Sequence, residues 1–276
     1  MIGAFNSLKG VLAIMIFIHH LDLYNGGGSL AVAVFFMLGG FLSTLGYRDK
    51  ILSTGFCYKN YLLCKAIKFY PLHWLLLLIV IPFIFYGGGS LLKNLLIFII
   101  NASLLQSWIP IPSVYFSGNS VSWYLSDTLA FVVVFPFLLK WMLHGAKISK
   151  ISVAIGIVIV YIIFCLFIPH DYTHRLFYIN PMFRIVDYMV GMAVALLYLH
   201  YRDTEGVKEY VARKINLLIF FTWLCFIGLI FISLANNNLV LHSIVYIPLS
   251  AIMLILIALT GGEDSMLKNS PKVWDD

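Results

Sequence analysis

The sequence predicts an all-α fold, a polytopic bundle of transmembrane helices with about eight crossings and one short re-entrant or interfacial segment. Three observations predict it. Of 276 residues, 62% are hydrophobic and only 11% are charged, against about 25% charged in an ordinary soluble domain. The mean hydropathy is +0.96, an excess that a single soluble core of this chain length cannot bury. The apolar residues fall in runs near the length that a membrane helix needs. This excludes a disulfide scaffold, a disordered tail and a soluble DNA-binding module. The net charge of +6 then reads as a topology signal.

The runs lie at 8–24, 30–47, 68–86, 122–143, 151–168, 183–200, 215–235 and 239–260. The first follows Lys9 and has no small-residue cleavage site near its end, so it reads as an uncleaved span. Gly26-Gly27-Gly28 closes the first span and Gly87-Gly88-Gly89 the third. The run 151–168 is apolar on every side and faces lipid. No internal repeat or linker divides the chain, so residues 1–276 are expected to form one integral membrane domain. Asn94 to Gln106 is apolar but short for a span, which suits a re-entrant or interfacial piece.

Charge fixes the topology. If 94–106 does not cross and the N-terminus is cytoplasmic, the inner side holds Lys9, Arg48, Lys50, Lys59, Lys65, Lys68, Lys140, Lys147, Lys150, Arg202, Lys208, Arg213, Lys214, Lys268 and Lys272. Only Lys93, Arg175 and Arg184 are then outside. If 94–106 crosses, every later loop flips and the asymmetry vanishes. The positive-inside rule selects the first arrangement. Both termini are cytoplasmic and 87–121 is an outer segment.

The four cysteines, Cys57, Cys64, Cys165 and Cys225, match no metal spacing, and no metal or structural disulfide is expected. The residues that can carry chemistry are ionisable groups within or beside spans. Lys9 and His20 are 11 residues apart, about 16 Å along a helix and nearly on one face. They read either as a snorkelling lysine and an interfacial histidine or as parts of a site. Asp22 either orients His19 across a turn or sits solvated at the helix exit. Lys59, Lys65 and Lys68 gather just before the third span. They are topogenic charge or a seat for a phosphate-bearing ligand. No P-loop accompanies them, so nucleotide hydrolysis has no support.

Ser122-Trp123-Tyr124-Leu125-Ser126-Asp127 opens the fourth span from outside. Asp127 suits the positive end of a helix, but the apolar run after it calls for a partner or a wet cavity. Arg184 and Asp187 open the sixth span and could simply pair at i, i+3. An outer group of histidine and carboxylates with an inner phosphate-attracting patch suggests a ligand on each side. Histidine is the natural proton acceptor from a hydroxyl at neutral pH.

These residues resemble the membrane acyltransferase-3 family, whose members O-acylate cell-surface sugars. Lys9 to His20 is similar to its basic residue, ten residues, then His. Phe35-Phe36-Met37-Leu38-Gly39-Gly40-Phe41 resembles its second-helix motif, with Gly39 in place of Ser. Lys65-x-x-Lys68 before Pro71 resembles its Arg-x-x-Arg, and Trp123-Tyr124-Leu125-Ser126-Asp127 its Trp-Ser-Leu-Ser-x-Glu. Arg184 to Gly191-Met192 resembles its later Arg…Gly-Met helix. The five occur in order over residues 5–192. Three Arg positions are Lys here, which gives up the bidentate fork on phosphate. The family's Ser-Tyr-rich terminal helix, ending near a His, would follow Pro271-Lys272-Val273-Trp274. The chain is therefore expected either to be truncated before a final helix or to have lost part of the site.

The resemblance implies an acyl-CoA donor in the cytoplasm, with acetyl-CoA the expected one, and no resident cofactor. It implies an acceptor hydroxyl on an extracytoplasmic glycan or lipid-linked saccharide, at the plasma (inner) membrane. On that reading His20 is the general base, taking a proton from the acceptor hydroxyl or from an intermediate carrier, and Asp127 is the orienting or charge-stabilising carboxylate. Lys9, Lys65 and Lys68 attract the donor phosphates, and Arg184, Trp123 and Ser126 line the acceptor side. The rival is a transporter or flippase of a lipid-linked saccharide that uses the same groups without covalent chemistry. Such a protein would more often show two repeated halves with broken helices, and the sequence has none.

Overall fold

A computed structural model describes residues 2–24, 27–86, 90–146, 169–235 and 239–261, with scattered positions between 152 and 167. Most of the run 151–168, Gly26, the whole cluster Gly87-Gly88-Gly89, Lys147, Lys150 and the stretch 262–276 with Lys268, Lys272 and Trp274 lie outside the described residues. Every regular element among the described residues is helical. In hydrocarbon a helix satisfies its own backbone polar groups, so an apolar run has few alternatives.

The long helices are α1 (Ile2–His20), α2 (Gly27–Leu52), α3 (Tyr58–Tyr86), α4 (Leu91–Ala102), α5 (Trp123–His144), α6 (Pro181–Tyr201), α7 (Glu205–Ala235) and α8 (Leu239–Thr260). Five helical stretches, Gly27–Leu52, Tyr58–Tyr86, Ser120–His144, Pro181–Tyr201 and Glu205–Leu234, are long and apolar enough to cross a membrane. The expectation of about eight crossings is thus met for five. Several helices start before their apolar run. α3 begins at Tyr58, so Lys59, Lys65 and Lys68 lie on the helix rather than ahead of it. α7 begins at Glu205 and kinks at Lys214, where φ is −116° and ψ is 15°. Its first turns carry an exposed Glu209–Arg213 pair at 3.3 Å. Polar turns like these leave no trace in an apolar-run reading.

The chain forms two compact units, residues 1–45 with 190–276, and residues 46–189. In the first, α1 buries Phe5, Leu8, Leu12 and Met15, the 3–4 spacing of one helix face. They join Leu30, Val34, Met37 and Phe41 of α2, Ala195 of α6, Leu229 of α7 and Met253 of α8 in one core. Gly191 lets α6 approach α2 closely, because a Cβ there would collide with the Met37 carbonyl. α1 ends in a Schellman motif. Leu23 N–H donates to Ile18 O at 3.2 Å and Asp22 N–H to His19 O at 3.0 Å. Asp22 holds the left-handed position at φ 57°. It is therefore an exposed helix stop, while His19 Nδ1 meets the Tyr24 carbonyl at 3.3 Å. The His19 ring lies over Gly28, whose Cβ it would exclude.

In the second unit, α4 folds back along α3. Tyr70 Oη donates to Ser103 O at 3.3 Å and Trp74 Nε1 to Ala102 O at 3.1 Å, and His73 Nε2 meets Asn101 O at 2.9 Å. α5 also runs antiparallel to α3. Tyr61 Oη donates to Val132 O at 3.1 Å, while Ser126, a turn and a half earlier on α5, reaches Leu104 O at 2.6 Å, beside the Tyr70 level. Had α4 been a full crossing, α5 would run parallel to α3. α4 and α5 run in the same sense, both antiparallel to α3.

Candidate functional site

α4 carries Ser90 as its N-cap, accepting from Lys93 N–H at 3.3 Å. It ends at Leu104, a buried leucine with φ 55°. Leu105 N–H donates to Ile100 O at 3.0 Å and Leu104 N–H to Asn101 O at 2.9 Å, a second Schellman closure. A bulky residue pays for a left-handed φ. What the turn achieves is to hold the next residues, Gln106 and Ser107, against the start of α5. Gln106 Nε2 donates to Ser122 Oγ at 2.9 Å. Ser107 Oγ donates to Ser126 Oγ at 2.7 Å, and Ser126 Oγ donates to Leu104 O at 2.6 Å.

That chain of hydroxyls runs beside Asp127. Asp127 is 0% exposed, and neither carboxylate oxygen has a hydrogen-bond partner among the described residues. The Ser107 hydroxyl and the Arg184 charge are the groups that act on it. A buried carboxylate without donors costs several kcal/mol unless something compensates. Asp127 is thus a ready acceptor for a donor that a ligand brings.

Arg184 is 4% and Asp187 2% exposed, and they pair at 2.9 Å. Asn180 sets them, because its Oδ1 accepts from Met182 N–H at 2.9 Å and caps α6 ahead of Pro181. The Arg184 guanidinium lies 5.6 Å from the Tyr178 ring centroid. Tyr178 also packs on Trp123 at 5.0 Å and on His174 at 5.0 Å. Residues His174–Ile179 form a π-helical turn, a wide coil often found at functional positions. Burial pushes the Tyr178 phenol up to about 12 against the pull of Arg184. Burial and the adjacent Arg175 push the His174 imidazole below its usual value.

The other end of α3 is basic and aromatic. Lys65 Nζ sits 4.0 Å from the Tyr47 ring centroid and 5.7 Å from that of Tyr61. Lys140 Nζ lies 5.7 Å from the Phe56 centroid. In the other unit, Lys9 and His20 are both exposed on α1, and the His20 ring lies 5.5 Å from that of His19.

The acyltransferase-3 family model, described as an acyltransferase domain, matches residues 2–270. The chain belongs to that family. It is also 37% identical over 115 residues to Acyltransferase MdmB of Streptomyces mycarofaciens, a match that covers 40% of this chain and 28% of the relative. The chain therefore spans less than a third of the length of that curated relative. No solved structure matches the chain.

Among the residues that the sequence singles out, four meet in the second unit. Asp127 and Ser126 lie on one turn of α5, and Trp123 and Arg184 meet across Tyr178. Lys65 and Lys68 lie in the same unit on α3, while Lys9 and His20 belong to the first unit. Sequence reasoning missed Gln106, Ser107, Tyr178 and Tyr47. For the first two a signal existed: polar residues clustered at the end of a short apolar segment.

Proposed function

We propose that this family member is an integral membrane O-acyltransferase. It moves an acyl group, with acetyl the expected one, from cytoplasmic acyl-CoA to a hydroxyl of an extracytoplasmic glycan or glycolipid. Membership of an acyltransferase family supports the reaction class. The sided distribution of basic residues supports a donor at the cytoplasmic face of the plasma membrane and both termini in the cytoplasm.

In this reading His20 takes the proton of the acceptor hydroxyl. The acceptor oxygen attacks the thioester carbonyl, the C–S bond breaks, and the CoA thiolate leaves and is protonated to free CoA. Lys9, Lys65 and Lys68 draw the donor phosphates. Asp127 orients a hydroxyl by accepting from it, and Arg184, Trp123 and Ser126 line the acceptor side. The observation that carries the reading is Asp127, a fully buried carboxylate beside Ser107 and Arg184.

Membranes containing the protein are incubated with labelled acetyl-CoA and the host's surface glycans. The parent transfers label and Asp127→Asn, of equal size, loses about 10²-fold or more. Parent-like transfer by a well-expressed Asp127→Asn protein would remove Asp127 from the reaction.

A further inference from the structure

The basic end of the second unit places two ammonium groups at one tyrosine ring, with a third cation close to one of them. Lys65 Nζ lies 4.0 Å from the Tyr47 centroid, and Lys50 Nζ, one turn along α2 from Tyr47, lies 5.9 Å from the same centroid. Lys68 is close enough for its charge to act on Lys65. The tyrosine is itself braced. Its ring meets that of Tyr61 edge-on at 5.6 Å, and Tyr61 is pinned to α5 through Val132 O.

What this cluster omits is as informative as what it includes. Among the described residues no carboxylate pairs with Lys50, Lys65 or Lys68, and the neighbouring Asp49 pairs with Arg48 at 3.2 Å. A half-buried ammonium normally needs a counter-charge. Here the π face supplies the attraction. Unlike a carboxylate, a ring does not neutralise the charge and leaves ammonium protons free for an anion. Two unneutralised cations at one ring, with Lys68 acting on Lys65 beside them, suit a ligand with several phosphates.

We infer that Tyr47 is a positioning residue of the donor site, holding Lys65 ready for the donor's phosphates, and that Lys50 is a further phosphate-binding residue beside Lys65 and Lys68. This rests on the proposed acyl-CoA donor. The same chemistry would suit an anionic lipid headgroup, so the test separates the two sources.

The test uses the full chain, with donor kinetics in inverted vesicles and CoA binding in nanodiscs of phosphatidylcholine or phosphatidylglycerol. Tyr47→Phe keeps the ring and should leave the donor KM within about twofold of the parent. Tyr47→Leu should raise KM about 3- to 10-fold with kcat unchanged, and Lys50→Gln should raise it similarly. An unchanged KM in Tyr47→Leu or in Lys50→Gln overturns the inference. So does a Tyr47→Phe protein as impaired as Tyr47→Leu, which would put the role on the hydroxyl. Should Tyr47→Leu fail to fold, Tyr47→Trp decides: the indole face binds cations best, so a raised KM there overturns it. A patch that serves lipid would show variants altered only in phosphatidylglycerol binding, with CoA binding and KM intact, which also overturns it. If the parent transfers acyl groups but these variants match it, only this inference falls. If the parent neither binds CoA nor transfers, the donor reading falls with it.

Discussion

His19 and His20 are neighbours with different surroundings. His19 is wedged between the Tyr24 carbonyl and Gly28, so its ring is committed to closing the turn between α1 and α2. His20 is exposed and shares its face of α1 with Lys9. A base must have its nitrogen available to a substrate, and the held ring of His19 is the less suited. His20→Ala is therefore expected to lower acyl transfer about 10²–10⁴-fold. His19→Ala should retain most turnover and instead lower stability by about 1 kcal/mol, the worth of a buried hydrogen bond. Transfer rates and thermal midpoints of the two variants check this, and near-parent turnover by a well-expressed His20→Ala protein would defeat the assignment. At this scale the sequence showed Asp127 and Arg184 because charge inside an apolar run is conspicuous. It did not show Tyr178 or Tyr47, because a tyrosine in such a run is unremarkable until its ring is seen under a cation.

At the scale of elements, the apolar runs mapped onto helices because hydrocarbon leaves the backbone little choice. The boundaries were less visible, since α3 and α7 extend into polar turns whose stability comes from packing and pairing. Asn94 to Gln106 was legible as a short apolar segment, and its helix runs only from Leu91 to Ala102 beside α3. The π-helical turn His174–Ile179 had no sequence signal at all, because it depends on aromatic packing from Tyr115 and Phe116 some sixty residues earlier. His174 gives this element a pH dependence. Its imidazole is kept neutral by burial and by Arg175, and the rings around it, Tyr115, Phe116 and Tyr178, offer no negative charge. The unfolded chain therefore binds the proton first. The stabilisation is complete above the ordinary histidine value of about 6.5 and is lost as pH falls through the lowered folded value. The thermal midpoint in detergent should fall between pH 7 and pH 5, and fall less in His174→Gln. Equal falls in parent and variant would show that His174 is not the group responsible.

For the whole molecule, charge asymmetry and family membership meet in one claim: acyl groups enter from the cytoplasmic side and leave on an extracytoplasmic hydroxyl. Fifteen of 18 basic residues fall on the proposed inner side, and α4 and α5 both run antiparallel to α3. The proposed orientation rests on lysine and arginine being costly to translocate. How the chain divides into two units was not, since α2 and α6 each continue from one unit into the other without a break in their apolar pattern. The most direct test supplies labelled acetyl-CoA separately to sealed inverted and sealed right-side-out vesicles that contain the acceptor glycolipid. The account predicts label on the acceptor only in inverted vesicles, where the cytoplasmic face meets the donor, and on the lumenal side of their membrane. Equal labelling of both preparations, or label confined to the donor side, would contradict it.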